Sequence, residues 1–348
     1  MRESGSSEPQ LHRQQRDVVV SASLSDALDY LCRSCRRHYL SAGSIRRNGQ
    51  PVTQWRAIDR PCPICGSSAA RLLGARGGRA HREGKGVETS VVRCGECHGV
   101  YQRPMLLPEF NPYSEWSAEG YFRHHDPKQK ILQGERLAAF AESVLGQPGR
   151  MLELGCGRGE FLRGAANRGW DVRGVEMTEA FAQIAREQHD IEIECVRVEE
   201  AGTLSKTYDV VLLAAILEHL YEPAETLKRV REALRPGGLV FIDVPNECSL
   251  MSRVGNAYMR LRGTDWAVNL SPTFPPYHVV GFCPSSLQEL LGRAGFRPLE
   301  FQLHRWKNAL PSAKGIFARF ERIGFDAVLS LGKLVGMGMG ITCWAVRL

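Results

Sequence analysis

Twelve residues constrain most of what this chain can become. Met151-Leu-Glu-Leu-Gly-Cys-Gly-Arg-Gly-Glu-Phe-Leu162 runs an apolar strand straight into Gly155-x-Gly157-x-Gly159 and then into a helix. Glycines at alternate positions let a backbone turn sharply and approach a ligand closely. The pattern continues downstream. Apolar runs at Met151–Leu154, Val172–Val175, Ile191–Val198, Tyr208–Leu213 and Leu239–Val244 alternate with helical stretches at Phe161–Arg168, Glu179–Gln188 and Glu225–Leu234. Such alternation predicts βαβ units, hence an α/β fold with a parallel sheet covered on both faces. Gln129–Leu145 carries an amphipathic set and predicts a covering helix. Ser285–Ala294 reads as a further helix, Pro298–Leu303 and Ile341–Val346 as final strands, and residues 246–280 show no clear period. With 348 residues, 43% hydrophobic and 24% charged, the chain can bury a full core. That composition excludes a collagen, a coiled coil, a disordered polymer and a disulfide miniprotein.

The glycine loop can be read for its ligand. A dinucleotide loop, G-x-G-x-x-G, would place a third small residue at position 160, where this chain has Glu160. A carboxylate at a helix N-terminus opposes a pyrophosphate, which uses the same helix dipole. Glu153, just ahead of the glycines, suits instead a cationic ligand without phosphate. S-adenosylmethionine, with its ammonium and sulfonium groups, fits that description. Glu176 closes the next apolar run, 21 residues after Gly155. A carboxylate at the end of a second strand can accept from both ribose hydroxyls.

Five motifs follow in order: Glu153-Leu-Gly-Cys-Gly-Arg-Gly159, Glu176, Tyr208-Asp-Val-Val211, Leu217-Glu-His-Leu220 and Leu234-Arg-Pro-Gly-Gly238. Through them the chain resembles, over about residues 130–305, the class I S-adenosylmethionine-dependent methyltransferases. The nearest flavour is the family of ubiquinone-biosynthesis O-methyltransferases and many small-molecule and sugar methyltransferases. The resemblance implies a Rossmann-like seven-stranded sheet whose last strand, Ile341–Val346, is antiparallel. It implies that Glu153 and the backbone of Gly155, Cys156, Gly157 and Gly159 hold the methionine part of the cofactor. Glu176 would take the ribose, Met177 would pack on the adenine, and Val198 and Glu199 would border its edge. The Ala214 backbone would face the amino-acid end. Many relatives carry Asp near position 199, where this chain has Glu199-Glu200.

Cysteine is concentrated ahead of these motifs. Six of the 11 cysteines form Cys-x-x-Cys pairs at Cys32/Cys35, Cys62/Cys65 and Cys94/Cys97. The polar N-terminus shows no apolar signal segment, so a cytoplasmic location is expected, and thiolate–metal chemistry is expected over disulfides. Cys62, Cys65, Cys94 and Cys97, with 28 residues between the two pairs, predict one closed structural zinc site on a β-ribbon. The resemblance agrees, since many relatives carry such a ribbon ahead of the catalytic domain. Cys32/Cys35 could hold a second metal with His38, or none. The expected organisation is a disordered lead-in at 1–20, a cysteine-rich zinc-ribbon module at 21–110 and a catalytic domain at 111–348. The module ends in a connector marked by Pro104, Pro108 and Pro112, and an acceptor lid covers 246–282. Ala327–Val346, the longest quasi-apolar stretch, contains Lys333 and four glycines and matches a membrane span poorly.

The formal charge of +7 lies wholly in residues 1–110, which carry 17 basic and 10 acidic side chains against 28 of each beyond. A basic module can hold nucleic acid, but these residues lack the interleaved aromatics of a base-stacking platform, so no nucleic-acid partner is expected.

Methyl transfer is an in-line displacement that needs alignment and, for a hydroxyl acceptor, a base. His278, in Pro275-Pro-Tyr-His-Val-Val-Gly-Phe282, and His219, in Leu217-Glu-His-Leu220, are the candidates; a helix-capping His219 and a loop-fixing His278 are the structural alternatives. Tyr113–Phe122 and Leu250–Phe282, with Trp116, Tyr121, Tyr258, Trp266, Phe274 and Tyr277, suit the lining of a pocket for a ring or a sugar. The expected function is methyl transfer to a small-molecule acceptor, most readily at oxygen. An RNA methyltransferase using the zinc module, and a non-catalytic scaffold retaining the fold, are the alternatives.

Overall fold

The structure is a computed structural model that describes residues 46–47, 50–51, 55–112, 126–305 and 316–348. The lead-in, Cys32, Cys35, His38, Trp116, Tyr121, His124 and His125 lie outside the described residues. The chain divides into two compact units, Met1–Val52 and Thr53–Leu348. Within the first, β1 (Arg46–Arg47) and β2 (Gln50–Pro51) pair as an antiparallel ladder.

The second unit opens with β3 (Trp55–Ile58), β4 (Ala70–Arg76), β5 (Thr89–Cys94), β6 (Val100–Gln102) and β7 (Met105–Pro108). The proline-spaced stretch is therefore no plain connector: β7 pairs antiparallel with β3, from Trp55 opposite Pro108 to Ile58 opposite Met105. Proline is tolerated there because β7 ends at Pro108, on an edge of a two-stranded ladder.

Helix α1 (Pro127–Leu145) starts two residues before the expected Gln129. Asp126 caps it, accepting from Lys128 N at 3.0 Å, and Pro127 suits the first turn. Then come β8 (Arg150–Leu154), α2 (Glu160–Ala166), β9 (Asp171–Val175), α3 (Glu179–His189), β10 (Glu192–Glu194) and β11 (Tyr208–Ala214). The chain finishes through α4 (Pro223–Ala233), β12 (Leu234–Pro245), α5 (Leu250–Leu261), β13 (Val280–Gly281), α6 (Pro284–Arg293), β14 (Phe296–His304), α7 (Ile316–Leu334) and β15 (Gly340–Arg347).

Seven strands form one sheet in the order β10-β9-β8-β11-β12-β15-β14. The ladders from β10 to β12 are parallel, and β15 runs antiparallel between β12 and β14. This is the expected α/β class with its antiparallel last strand. Alternation along β11 assigns the two faces. Val211 and Leu213 join Ile242, Ile341 and Cys343 beneath Leu227, Leu287 and Leu290. Val210 and Leu212 join Met151, Phe241 and Trp344 beneath Ala138, Leu162 and Ala182. Helices α1 and α2 approach through Gly134 and Gly164, where a Cβ on either would collide with the facing backbone. Their contact presses α2, and the glycine loop ahead of it, onto the sheet.

Three further expectations change. The run Ile191–Val198 is a strand only over Glu192–Glu194, because the Glu194 carboxylate accepts from Gly202 N and Thr203 N at 2.8 and 2.7 Å and turns the chain back. Residues 246–280 contain α5, capped by Ser249 accepting from Ser252 N. Finally β13, inside the expected lid, is the fourth strand of the ribbon sheet, β13-β6-β5-β4. Among the described residues no helix is long and apolar enough to cross a membrane.

Candidate active site

The glycine loop leaves the carboxyl end of β8 with Gly155, Gly157 and Gly159 at φ +68°, +56° and +77°. A side chain at 155 would also collide with Ile216, so glycine is required twice over there. The loop is stitched to β9, where Val175 O accepts from Gly155 N and Cys156 N at 2.7 and 3.0 Å. Glu176 follows immediately, and its carboxylate accepts from Gly157 N at 3.0 Å and Thr178 N at 2.8 Å. Burial raises the pKa of Glu176 above its ordinary value, opposed by those two amides.

Glu153 is only 3% exposed, and its Oε2 has no hydrogen-bond partner among the described residues. Burial pushes its carboxyl well above the ordinary value; the Lys130 ammonium opposes this, and Glu160 and Glu176 add to it. A buried carboxyl oxygen without a hydrogen-bond partner costs about 1–3 kcal/mol, and a donor on a cationic ligand group beside it removes that cost. This is the observation on which the fit of a sulfonium and ammonium ligand rests. At position 160 the Glu160 carboxylate is buried and held by Arg158 Nε at 2.8 Å, so its charge is already paired and repels an anion less than its position suggests.

Where the adenine edge is expected, Val198–Glu200 forms a single 3₁₀ turn. Arg229 of α4 clamps it by donating to Val198 O, Glu199 O and Ala201 O at 3.1, 2.7 and 2.8 Å. Met177 is partly buried just beyond Glu176. Ala214 ends β11, and Ala215 takes φ +58° with its N–H on Asp243 O at 2.8 Å.

The two histidine candidates meet. His219 lies in the turn Leu217–His219, and α4 begins only at Pro223 behind Glu222, so His219 does not cap that helix. His278 follows Tyr277, which is held at φ +63° with its N–H on Phe274 O at 2.8 Å. The two rings stand edge to face with centroids 4.9 Å apart. Burial pulls His219 down to about 4, with the carbonyls of Tyr277 and Pro276 working against it. Burial and the neighbouring His219 pull His278 down to about 3.

A third member was not singled out from sequence. Glu218 is 1% exposed, both its oxygens lack hydrogen-bond partners among the described residues, and burial pushes it up to about 8. Its Oε1 lies 4.0 Å from His219 Nε2. Ligand atoms of Glu218, His219 and His278 all fall within 4.8 Å of one another, close enough to share a proton or a cation. Asp243 and His304, paired at 3.1 Å from β12 and β14, the two strands that flank β15, were also missed.

The ribbon brings Cys62, Cys65, Cys94 and Cys97 together, with their sulfurs within 4.8 Å of one another. Cys62–Cys97 and Cys65–Cys94 stand 3.6 and 3.5 Å apart. A tetrahedral zinc with Zn–S bonds of about 2.3 Å implies S···S of about 3.8 Å. All four are free thiols, so the donor set fits zinc.

A family model described as a methyltransferase domain matches residues 122–300, just over half of the chain. The ubiquinone biosynthesis O-methyltransferase of Aeromonas salmonicida is 30% identical over 188 residues, covering 52% of this chain and 75% of that one. Its namesake from Cereibacter sphaeroides is 27% identical over 199 residues, covering 53% and 78%. Among solved structures, a plantazolicin methyltransferase in complex with SAH aligns with a TM-score of 0.43 and 17% identity, covering 66% of this chain and 88% of that one. A SAM-dependent methyltransferase from Archaeoglobus fulgidus aligns at 0.42 and 20%, covering 66% and 97%. With the strand order, the glycine loop and the unpartnered Glu153 already pointing the same way, the chain belongs to the methyltransferase-domain family and is a class I S-adenosylmethionine-dependent methyltransferase.

Proposed function

We propose that the enzyme methylates a hydroxyl of a small molecule in natural-product, quinone or saccharide biosynthesis. The observation that carries this is the Glu218–His219–His278 cluster beyond the end of β11, three residues or more past Ala214. The relatives named as O-methyltransferases support the same acceptor atom. When bound, S-adenosylmethionine supplies an electrophilic methyl group on a sulfonium.

The chain's own residues do the rest. Glu153 and the backbone from Gly155 to Gly159 hold the methionine part, Glu176 the ribose, Met177 with Val198 and Glu199 the adenine, and Ala214 the amino-acid end. His278 takes the acceptor's proton, and His219 orients it with a ring fixed by the Pro276 and Tyr277 carbonyls. Titration calorimetry tests the cofactor half: the protein binds S-adenosylmethionine and its demethylated product and not NAD. Tight NAD binding without affinity for the sulfonium ligand would sink it.

The four thiolates are proposed to hold one structural zinc, a closed shell with no position for water. Elemental analysis of freshly prepared, unchelated protein should find about one zinc per chain. None at all would refute the site, and two would bring Cys32/Cys35 into play. The nine described cysteines are all free thiols, which supports a reducing, cytoplasmic location. The division at 21–110 and 111–348 is proposed for sequence modules, not separable bodies, because β13 completes the ribbon sheet. A nucleic-acid partner is not proposed. Sequence-dependent RNA binding that weakens steeply with salt would replace this reading with an RNA methyltransferase.

A further inference from the structure

We propose that the four-cysteine ribbon is the acceptor-side scaffold of the active site: metal held by Cys62, Cys65, Cys94 and Cys97 fixes the loop that carries His278. This rests on the reading of His278 as the proton acceptor.

Both ends of the loop are tied to the ribbon. At its start, Ala75 N donates to Asp265 O at 2.8 Å and Ala267 N to Ala75 O at 2.9 Å, an approach open only because residue 74 has no Cβ to strike Asp265. Arg76 Nε donates to Leu270 O at 3.0 Å. The Thr273 hydroxyl donates to Val87 O at 2.7 Å and accepts from Val87 N at 3.0 Å. At its end, β13 pairs with β6, Val280 opposite Tyr101 and Gly281 opposite Val100, two and three residues after His278.

The last ties reach the metal knuckle itself. Cys283 Sγ donates to His98 O at 3.0 Å and Ser285 Oγ to Cys97 O at 3.1 Å. The Cys97–Gly99 turn that offers these carbonyls is tightly built. His98 sits at φ +66°, and a Cβ at position 99 would collide with Ile64. Between the two ends, Val279 N donates to Glu218 O at 2.8 Å, joining the loop to the segment that bears His219.

A two-residue strand such as β13 has no independent stability. Its partner strand β6 emerges directly from the Cys94–Cys97 knuckle, whose folding is coupled to metal in a site of this kind. The metal therefore acts at a distance on the spacing of His219 and His278. It belongs to the acceptor half, while the bonds that hold the glycine loop come from Val175 O and the Glu176 carboxylate at the end of β9.

Hydrogen–deuterium exchange, zinc content, cofactor affinity and acceptor turnover are measured before and after a zinc-selective chelator. Expected on metal loss are at least about tenfold faster exchange at 279–283, unchanged S-adenosylmethionine affinity, and turnover lower by about 10–100-fold, the cost of an ångström-scale misplacement. Added zinc restores all three. Unchanged exchange at 264–285, with residues 62–99 freely exchanging, would overturn the proposal. If the stripped protein unfolds, the decision passes to the zinc-loaded double variant Thr273→Val/Ser285→Ala. Faster loop exchange, raised acceptor KM and lowered kcat at wild-type zinc content and cofactor affinity support the proposal; wild-type exchange and kinetics overturn it. Should no hydroxyl acceptor be turned over by the intact enzyme, the reading of His278 fails, and loop exchange alone still decides the role of the ribbon.

Discussion

Replacing His278 by alanine lowers turnover on a hydroxyl acceptor by about 10²–10⁴ while leaving cofactor affinity nearly unchanged, the signature of a lost general base. His219→Ala costs less if it orients His278, and as much if it is itself the base. The pH dependence separates this cluster from a lone imidazole. At neutral pH burial keeps both rings uncharged, at about 4 and about 3, and keeps Glu218, at about 8, protonated. The cluster then carries no net charge, and a ring with so low a proton affinity is a weak base. Loss of the Glu218 proton places an anion 4.0 Å from His219 Nε2 and within 4.8 Å of a His278 ring nitrogen, which stabilises the imidazolium formed at His278 when the acceptor gives up its proton. Turnover should therefore rise as pH increases through about 8, and Glu218→Gln should remove that rise. A wild-type rate flat across this range would show that the proton leaves by another route, such as Tyr277 or the substrate itself. Lost cofactor binding in His278→Ala would mark the residue as structural.

The parts of this site legible in sequence are those set by local chemistry. The glycine loop was readable because its three glycines answer a backbone demand, left-handed φ, that few other residues meet. The four-cysteine cluster was readable because two Cys-x-x-Cys turns each preform half of a tetrahedral donor set. What escaped is long-range. Glu218 adjoins His219 in sequence, yet an acid beside a histidine is unremarkable until the fold buries it. Asp243 and His304 meet only because β15 lies between their strands, with Gly340 opposite His304. In α5, Leu250, Val254, Tyr258 and Leu261 do stand at helical spacing. Gly255 and Asn256 interrupt them, and Asn256 is committed to Val268 N and Asn269. Nothing in the sequence of residues 55–108 announces that the ribbon borrows a strand from 280–281, since two residues carry no period.

Glu176→Ala weakens S-adenosylmethionine binding by about 10²–10⁴-fold. Two charge-assisted hydrogen bonds to the ribose hydroxyls, each worth roughly 1.5–3 kcal/mol, set that range. The structure adds a second reason for a large effect. The same carboxylate holds Gly157 N and Thr178 N, so alanine also releases the glycine loop from the end of β9. Glu176→Gln separates the contributions. Its one carbonyl oxygen can still serve one amide, but its NH₂ faces the other N–H donor, and the loss should fall between wild type and alanine. The sign with pH follows from burial, which raises the proton affinity of Glu176 in the free protein. Binding needs the ionised form, so it releases a proton and weakens as pH falls through that raised value. Titration calorimetry in buffers of different ionisation enthalpy reads this proton directly, and the alanine variant should lose it. With cofactor saturating, turnover of the variant should remain close to wild type, because Glu176 follows β9, two strands away from β11, which leads into the His219 segment. Unchanged affinity in Glu176→Ala would leave the carboxylate as a clamp on the loop and place the ribose elsewhere.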